Sequence, residues 1–188
     1  MTIATILLII LVILIILVCS TYNSLVKLNE RVREAWSDIT VQLKYRADLI
    51  PNLVETVKGY AKHEKTAFED VTAARSAVLS AKSIKSTTAA EKSLEGALSK
   101  VFAIAESYPE LKANENFKEL QTQLQDTEDK IQAARRFYNN GAKEFNTKVK
   151  MFPYNVLNNM VGHFKVYEYY DVAESEKSAV KDAPEVKF

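Results

Sequence analysis

Few side chains in this sequence could carry chemistry. His63, His163 and Cys19 are its only histidines and cysteine. A zinc site needs three or four converging nitrogen or sulfur ligands, and these three are far apart with no ligand spacing. A carboxylate-bridged two-metal site in a helical bundle needs Glu-x-x-His pairs on facing helices, and the chain has none. No glycine-rich phosphate loop is present, and no serine sits in a nucleophile motif. The inventory therefore assigns no catalytic residue, no metal and no cofactor, and the chain reads as a non-enzyme. His63 reads as an exposed turn residue and His163 as part of an aromatic surface patch. A single cysteine excludes an internal disulfide.

The one polar residue that stands out is Arg46. Apolar residues recur at helical spacing through Leu25, Leu28, Val32, Ala35, Ile39 and Leu43, and resume at Ile50, Leu53 and Val57. Arg46 occupies the slot between Leu43 and Ile50. A core-facing guanidinium needs a partner, because an unpaired buried charge is very costly. If Leu25 lies level with Phe152 in an antiparallel helix pair, Arg46 falls near Ile131, with Glu128 one turn away. The other reading has Arg46 reaching the bundle edge and pairing locally with Asp48 or Gln42. Either role is structural. Trp36, beside the same stripe, reads as a core anchor.

The elements that would position these residues begin with a run of Ile, Leu and Val from Ile3 to Cys19, with no charge in the first 26 residues. At ~1.5 Å per helical residue, residues 1–20 suffice to cross a hydrocarbon core of about 30 Å. No basic residue precedes the run, and Leu17-Val18-Cys19-Ser20-Thr21 lacks the small-residue pattern of a cleavage site. Val18 also fits poorly before a lipid-modified Cys19. The run therefore reads as a retained single-pass anchor, and Cys19 as an apolar residue at the membrane edge. Lys27, Arg31 and Arg33 follow the span and nothing basic precedes it, so the positive-inside bias puts the N-terminus outside and the following domain in the cytoplasm.

The rest is helical by composition and spacing. Gly and Pro number four each, and the net charge of +1 lacks the basic excess of a nucleic-acid binder. Pro51 predicts a kink or restart near Leu49. Gly59 and Lys62-His63-Glu64 offer a turn, with one unbroken helix from the membrane to Ala81 as the rival. A second helix runs from Phe68 to about Ala81, and residues 83–88 read as a loop. Thr88-Ala89-Ala90-Glu91 reads as a capping box for a third helix that stops at Tyr108-Pro109. Asn116-x-x-Glu119 is a cap for a long fourth helix reaching Phe152-Pro153. Two long and two shorter helices joined by short turns predict an all-α fold: a transmembrane helix (1–20) and then an antiparallel up-down four-helix bundle (21–166). Residues 167–188 read as a mostly flexible tail, with Val186 and Phe188 able to dock.

Several segments carry a resemblance. They are Arg31-Val32-Arg33-Glu34-Ala35-Trp36-Ser37-Asp38-Ile39, the block from Val41 through Leu49-Ile50-Pro51-Asn52-Leu53 to Tyr60, Ala73-Ala74-Arg75, and Glu115-Asn116-Phe117-Lys118-Glu119-Leu120-Gln121. With Ala134-Arg135-Arg136-Phe137-Tyr138-Asn139, Phe152-Pro153 and the closing Pro184-Glu185-Val186-Lys187-Phe188, the chain resembles the LemA family over essentially its whole length. The resemblance implies a single-pass bacterial membrane protein with a cytosolic helical bundle and no established enzymatic activity. It also implies a role in organising or shaping membranes, since some relatives serve in forming magnetosome membranes.

Tyr154, Leu157, Val161 and Phe164 repeat at three and four and form a candidate membrane-proximal patch. Two placements stay open, in the lipid headgroups or packed under the bundle. Two functions also follow. One is a membrane-anchored scaffold that forms homo-oligomers and organises the bilayer; the other is a binding module or regulatory subunit that recruits a membrane protein partner.

Overall fold

The computed structural model describes residues 2–170, and these form helices with no strand among them. In chain order the helices are α1 (Ile3–Lys58), α2 (Lys65–Ser80), α3 (Ile84–Glu106), α4 (Pro109–Ala113), α5 (Glu115–Lys150) and α6 (Tyr154–Leu157). A π-helical turn at Asn158–Gly162 and an irregular stretch over 163–170, which opens with His163 in the left-handed region, follow. Residues 171–188, and with them the expected docking of Val186 and Phe188, lie outside the described residues.

Packing divides residues 21–166, which the sequence suggests as one bundle, between two compact units. The first joins the chain up to Ile39 with Ala134–Tyr169; the second comprises Thr40–Ala133 together with Tyr170. Helices α1 and α5 contribute a segment to each.

In the first unit α1 and α5 run antiparallel. Trp36 meets Tyr138 edge-on at 5.8 Å between ring centroids, and Arg31 reaches Glu144 at 3.8 Å and lies over Phe137. Val32 and Ala35 of α1 are buried, as are Tyr138, Ala142 and Phe145 of α5. In the second unit Arg75 of α2 contacts α1, α2 packs on α3, Phe102 of α3 stacks edge-on with Phe117 of α5 at 6.3 Å, and Glu128 of α5 meets Arg46 of α1. The core here is Ile50, Leu53, Val57, Val71, Leu94, Val101, Leu111 and Ile131, each nearly inaccessible to solvent.

Helix α1 continues through Pro51, so of the kink or restart that the sequence suggests there, the restart does not occur. Proline at position 51 has no N–H to offer the carbonyl four residues back. That carbonyl belongs to Ala47, a buried residue. Arg75 supplies the missing donor: its Nε donates to the Ala47 carbonyl at 2.7 Å, and its Nη2 stands 3.7 Å from Asp48. The gap that Pro51 opens in the hydrogen-bond ladder of α1 is thus closed by α2.

Other boundaries move for local reasons. Helix α1 ends at Lys58 and α2 starts at Lys65, so no helix continues to Ala81. Helix α3 starts at Ile84, inside the stretch that reads as a loop. Ser83 and Ser86 form a reciprocal capping box one turn before Thr88, with Ser86 N–H donating to Ser83 Oγ at 3.2 Å and Ser83 N–H to Ser86 Oγ at 3.0 Å. Thr88 then sits within the helix and donates back to the Ile84 carbonyl. Asn114, not Asn116, caps α5: its Oδ1 accepts from Phe117 N–H at 3.1 Å. Helix α5 ends at Lys150, two residues short of Phe152.

The Pro51–Arg75 compensation is testable by chemical unfolding of the full chain in mild detergent. Arg75→Met leaves a buried carbonyl unsatisfied and should cost about 1–3 kcal/mol. In a Pro51→Ala background the backbone regains an N–H at position 51 that can bond the Ala47 carbonyl, and the same Arg75→Met change should cost clearly less. Equal costs in both backgrounds would show that Arg75 does not stand in for the missing amide.

Candidate functional site

The first candidate is the buried pair. Arg46 is buried and its Nη1 donates to Glu128 Oε2 at 2.5 Å; Gln132 Nε2 donates to the other carboxylate oxygen at 3.3 Å. Of the two arrangements that the sequence leaves open, the structure places Arg46 across from α5, while Asp48 faces Arg75. Glu128 lies directly opposite Arg46, because the α1–α5 register is about one turn away from the one that sets Arg46 beside Ile131. The pair opens on a groove of about 320 Å³ also lined by Glu95, Ser99, Gln121 and Gln125. A guanidinium held by a carboxylate in this way offers neither a nucleophile nor a free base. Its chemistry is electrostatic, fixing α1 against α5 within this unit.

The second candidate lies in the other unit, where the chain after α5 doubles back. This irregular stretch has no neighbouring strand among the described residues, and side chains satisfy several of its backbone groups. Asn146 Nδ2 donates to the Tyr167 carbonyl and Asn146 Oδ1 accepts from Tyr167 N–H, both at 2.8 Å. Asn158 holds Phe164 in the same two-handed way, at 3.1 and 2.8 Å. Tyr138 Oη donates to the Glu168 carbonyl at 3.0 Å, and Tyr167 Oη donates to Asn29 at 2.8 Å. Phe164 thereby lodges against Phe145, 6.0 Å away, and against Tyr22 of α1, 6.2 Å away. Gly162 permits this, since a Cβ there would stand 2.8 Å from the Phe164 ring and 2.9 Å from Asn158 Oδ1.

The four residues of the candidate patch do not share one environment. Tyr154, Leu157 and Phe164 are half-buried, and Val161 is exposed. Lys148 lies over the Tyr154 ring at 5.1 Å. Tyr167, at the start of the expected tail, and Tyr170 are packed; Tyr170 Oη donates to the buried Glu91 carboxylate in the second unit. His63 and His163 are exposed, and no group of three His, Cys, Asp or Glu that could hold a metal occurs among the described residues.

Burial pushes the Tyr138 phenol up to about 12, with Tyr167 and Glu168 adding to the rise. Burial also raises Tyr167, opposed by Arg33 and reinforced by Glu30.

The apolar run lies at the start of the same unit. Residues 2–20 are all exposed, and the first buried residue of α1 is Thr21. Helix α1 is long and apolar enough to cross a membrane, and none of that apolar window is covered by protein.

A family model described as LemA family matches residues 35–188. The chain belongs to the LemA family. Among curated proteins, this LemA-family chain is similar to magnetosome protein MamQ 2 of Paramagnetospirillum magneticum. The two are 25% identical over 175 residues, covering 79% of this chain and 64% of that protein. The same figures hold for magnetosome protein MamQ of Magnetospirillum gryphiswaldense. Protein LemA of Metamycoplasma hominis is 30% identical over 135 residues, covering 69% of this chain and 60% of that protein. The chain thus spans less than two thirds of the length of these curated relatives. The uncovered apolar helix and these relatives together suggest a place at a membrane.

Two outcomes follow for the full chain in detergent. Glu128→Ala should cost roughly 2–4 kcal/mol of unfolding free energy by leaving the buried Arg46 charge unpaired, Arg46→Ala less because Glu128 is only half-buried, and the double change clearly less than the sum. Additive effects below about half a kcal/mol would place the pair outside the stabilising core. The folded state also holds the Tyr138 proton more tightly than the unfolded chain. That contribution is complete below pH 10 and is lost as the pH rises toward 12. Stability followed by Trp36 fluorescence should fall across this window, and Tyr138→Phe should flatten the fall; an unchanged slope would remove Tyr138 as its source.

Proposed function

We propose that this protein is a membrane-anchored, non-enzymatic helical scaffold whose copies associate and organise or shape the bilayer. The observation that carries this reading is the apolar run of α1, which no part of the described protein covers and which continues unbroken into a packed helix. Such a surface is stable in lipid, where a helix satisfies its own backbone groups. Cleavage near Ser20 would cut within that helix. Lys27, Arg31 and Arg33 lie beyond the run, which supports an N-terminus outside and a cytoplasmic domain.

The helix contacts of the second unit support an antiparallel up-down bundle of α1, α2, α3 and α5 over Thr40–Ala133. Contacts run from α1 to α2, α2 to α3, α3 to α5 and α5 back to α1. The MamQ relatives are named as magnetosome proteins, which supports a membrane-organising role. Sharing a membrane plane raises the effective concentration of copies, so modest lateral contacts suffice to link them. A net charge of +1 brings little repulsion.

Two measurements test this reading. In a Cys19→Ser background, Glu69→Cys should resist a membrane-impermeant thiol reagent in intact cells and react after lysis; labelling in intact cells reverses the topology. Cross-linking in native membranes, followed by light scattering in mild detergent, should give a homo-oligomer. A monomer in both contradicts self-association, and a stoichiometric foreign subunit favours the partner-recruiting module.

A further inference from the structure

Five apolar side chains around α6 stay exposed. Phe152 is 79% exposed and Met160 71%, with Met151, Val156 and Val161 also exposed. Their neighbours are held in place: the Asn158 clamp turns Phe164 inward onto Phe145 and Tyr22, which leaves Val156, Met160 and Val161 facing away from the unit.

We propose that this apolar rim is a second membrane contact, seated in the interfacial layer beside the root of the anchor. The inference rests on the membrane-anchored reading above and adds a lipid-binding surface to it. Its level follows from α1. Tyr22, which touches Phe164, lies two residues beyond Ser20, or about 3 Å along the helix axis. The headgroup layer extends about 5–7 Å beyond the hydrocarbon on each side, so the Phe164 contact falls within it. Burial of α1 begins at Thr21, at the same level.

Charge points to lipid as the occupant. Between Glu144 and Glu168 the chain carries Lys148, Lys150 and Lys165 and no acidic residue. Basic side chains flanking exposed apolar ones suit an anionic headgroup layer over acyl chains. A second copy presenting this same rim would oppose lysine to lysine.

The test uses the full chain with Cys19→Ser, carrying one environment-sensitive dye on a single introduced cysteine. The sites are Val156→Cys, Met160→Cys, Val18→Cys within the apolar run, and Glu34→Cys well beyond it. The protein is placed in phosphatidylcholine–phosphatidylglycerol vesicles containing a lipid spin-labelled near the carbonyl end of its acyl chain. The dyes at 156 and 160 should be blue-shifted and lose fluorescence to the same order as the dye at 18, while the dye at 34 keeps its emission. Quenching at 18 with 156 and 160 behaving like 34 would overturn the seat and leave the anchor standing. Absence of quenching at 18 would overturn the anchor and the seat together. Dye–dye self-quenching at 160 without lipid quenching would assign the rim to a second copy and overturn the proposal. Adding Met160→Asp and Val161→Asp, both at exposed positions, should lower the quenching at 156.

Discussion

A helix that leaves a bilayer and enters a protein core without a break must change its covering within one turn. In α1 the change from exposed to buried falls at Thr21. Before it, every described residue is exposed and almost all are apolar; after it, Leu25, Leu28 and Val32 are buried. On the proposed membrane-anchored reading the run has to be helical, because lipid offers no partner for a free backbone amide. The structure carries the same helix onward into the first unit, and Phe164 meets Tyr22 just past the apolar run.

Continuity of α1 makes its own demand further along, at Pro51. A buried carbonyl left without a donor would destabilise the helix by an amount comparable to a lost core contact. Arg75 removes that penalty from outside the helix, and in doing so ties α2 to one place on α1. Arg46 and Glu128 tie α5 to α1 within the same unit. Apolar stripes tolerate sliding and repacking, whereas two directional charged contacts admit one register. The two polar ties set where the helices meet, and the Leu, Ile and Val core supplies most of the stabilisation.

Helical class, the apolar run and the buried stripe of α1 are legible from periodicity alone, because burial on one face leaves a direct imprint on residue type. The restart that the sequence allows at Pro51 illustrates what periodicity omits: proline's local penalty is visible in sequence, but the remote arginine that offsets it is not. The start of α3 is missed because Ser83 and Ser86 make a weaker-looking capping box than Thr88 and Glu91. Thr127 leaves a gap in the α5 stripe by its polar type, yet it is fully buried and donates to the Gln123 carbonyl. The patch around Tyr154 and Phe164 reads as one amphipathic face at helical spacing. A π-helical turn and an irregular stretch break that spacing, and the exposed apolar residues prove to be largely different ones, Phe152 and Met160 foremost.

The proposed function depends on the apolar start of α1 staying in the bilayer as part of one unbroken helix. Alkaline carbonate extraction of membranes from cells making this chain, followed by intact-mass measurement of the retained protein, tests it most directly. A retained anchor keeps the protein in the pellet with residues 1–20 still attached. Release into the supernatant of a chain beginning near Thr21 would contradict it.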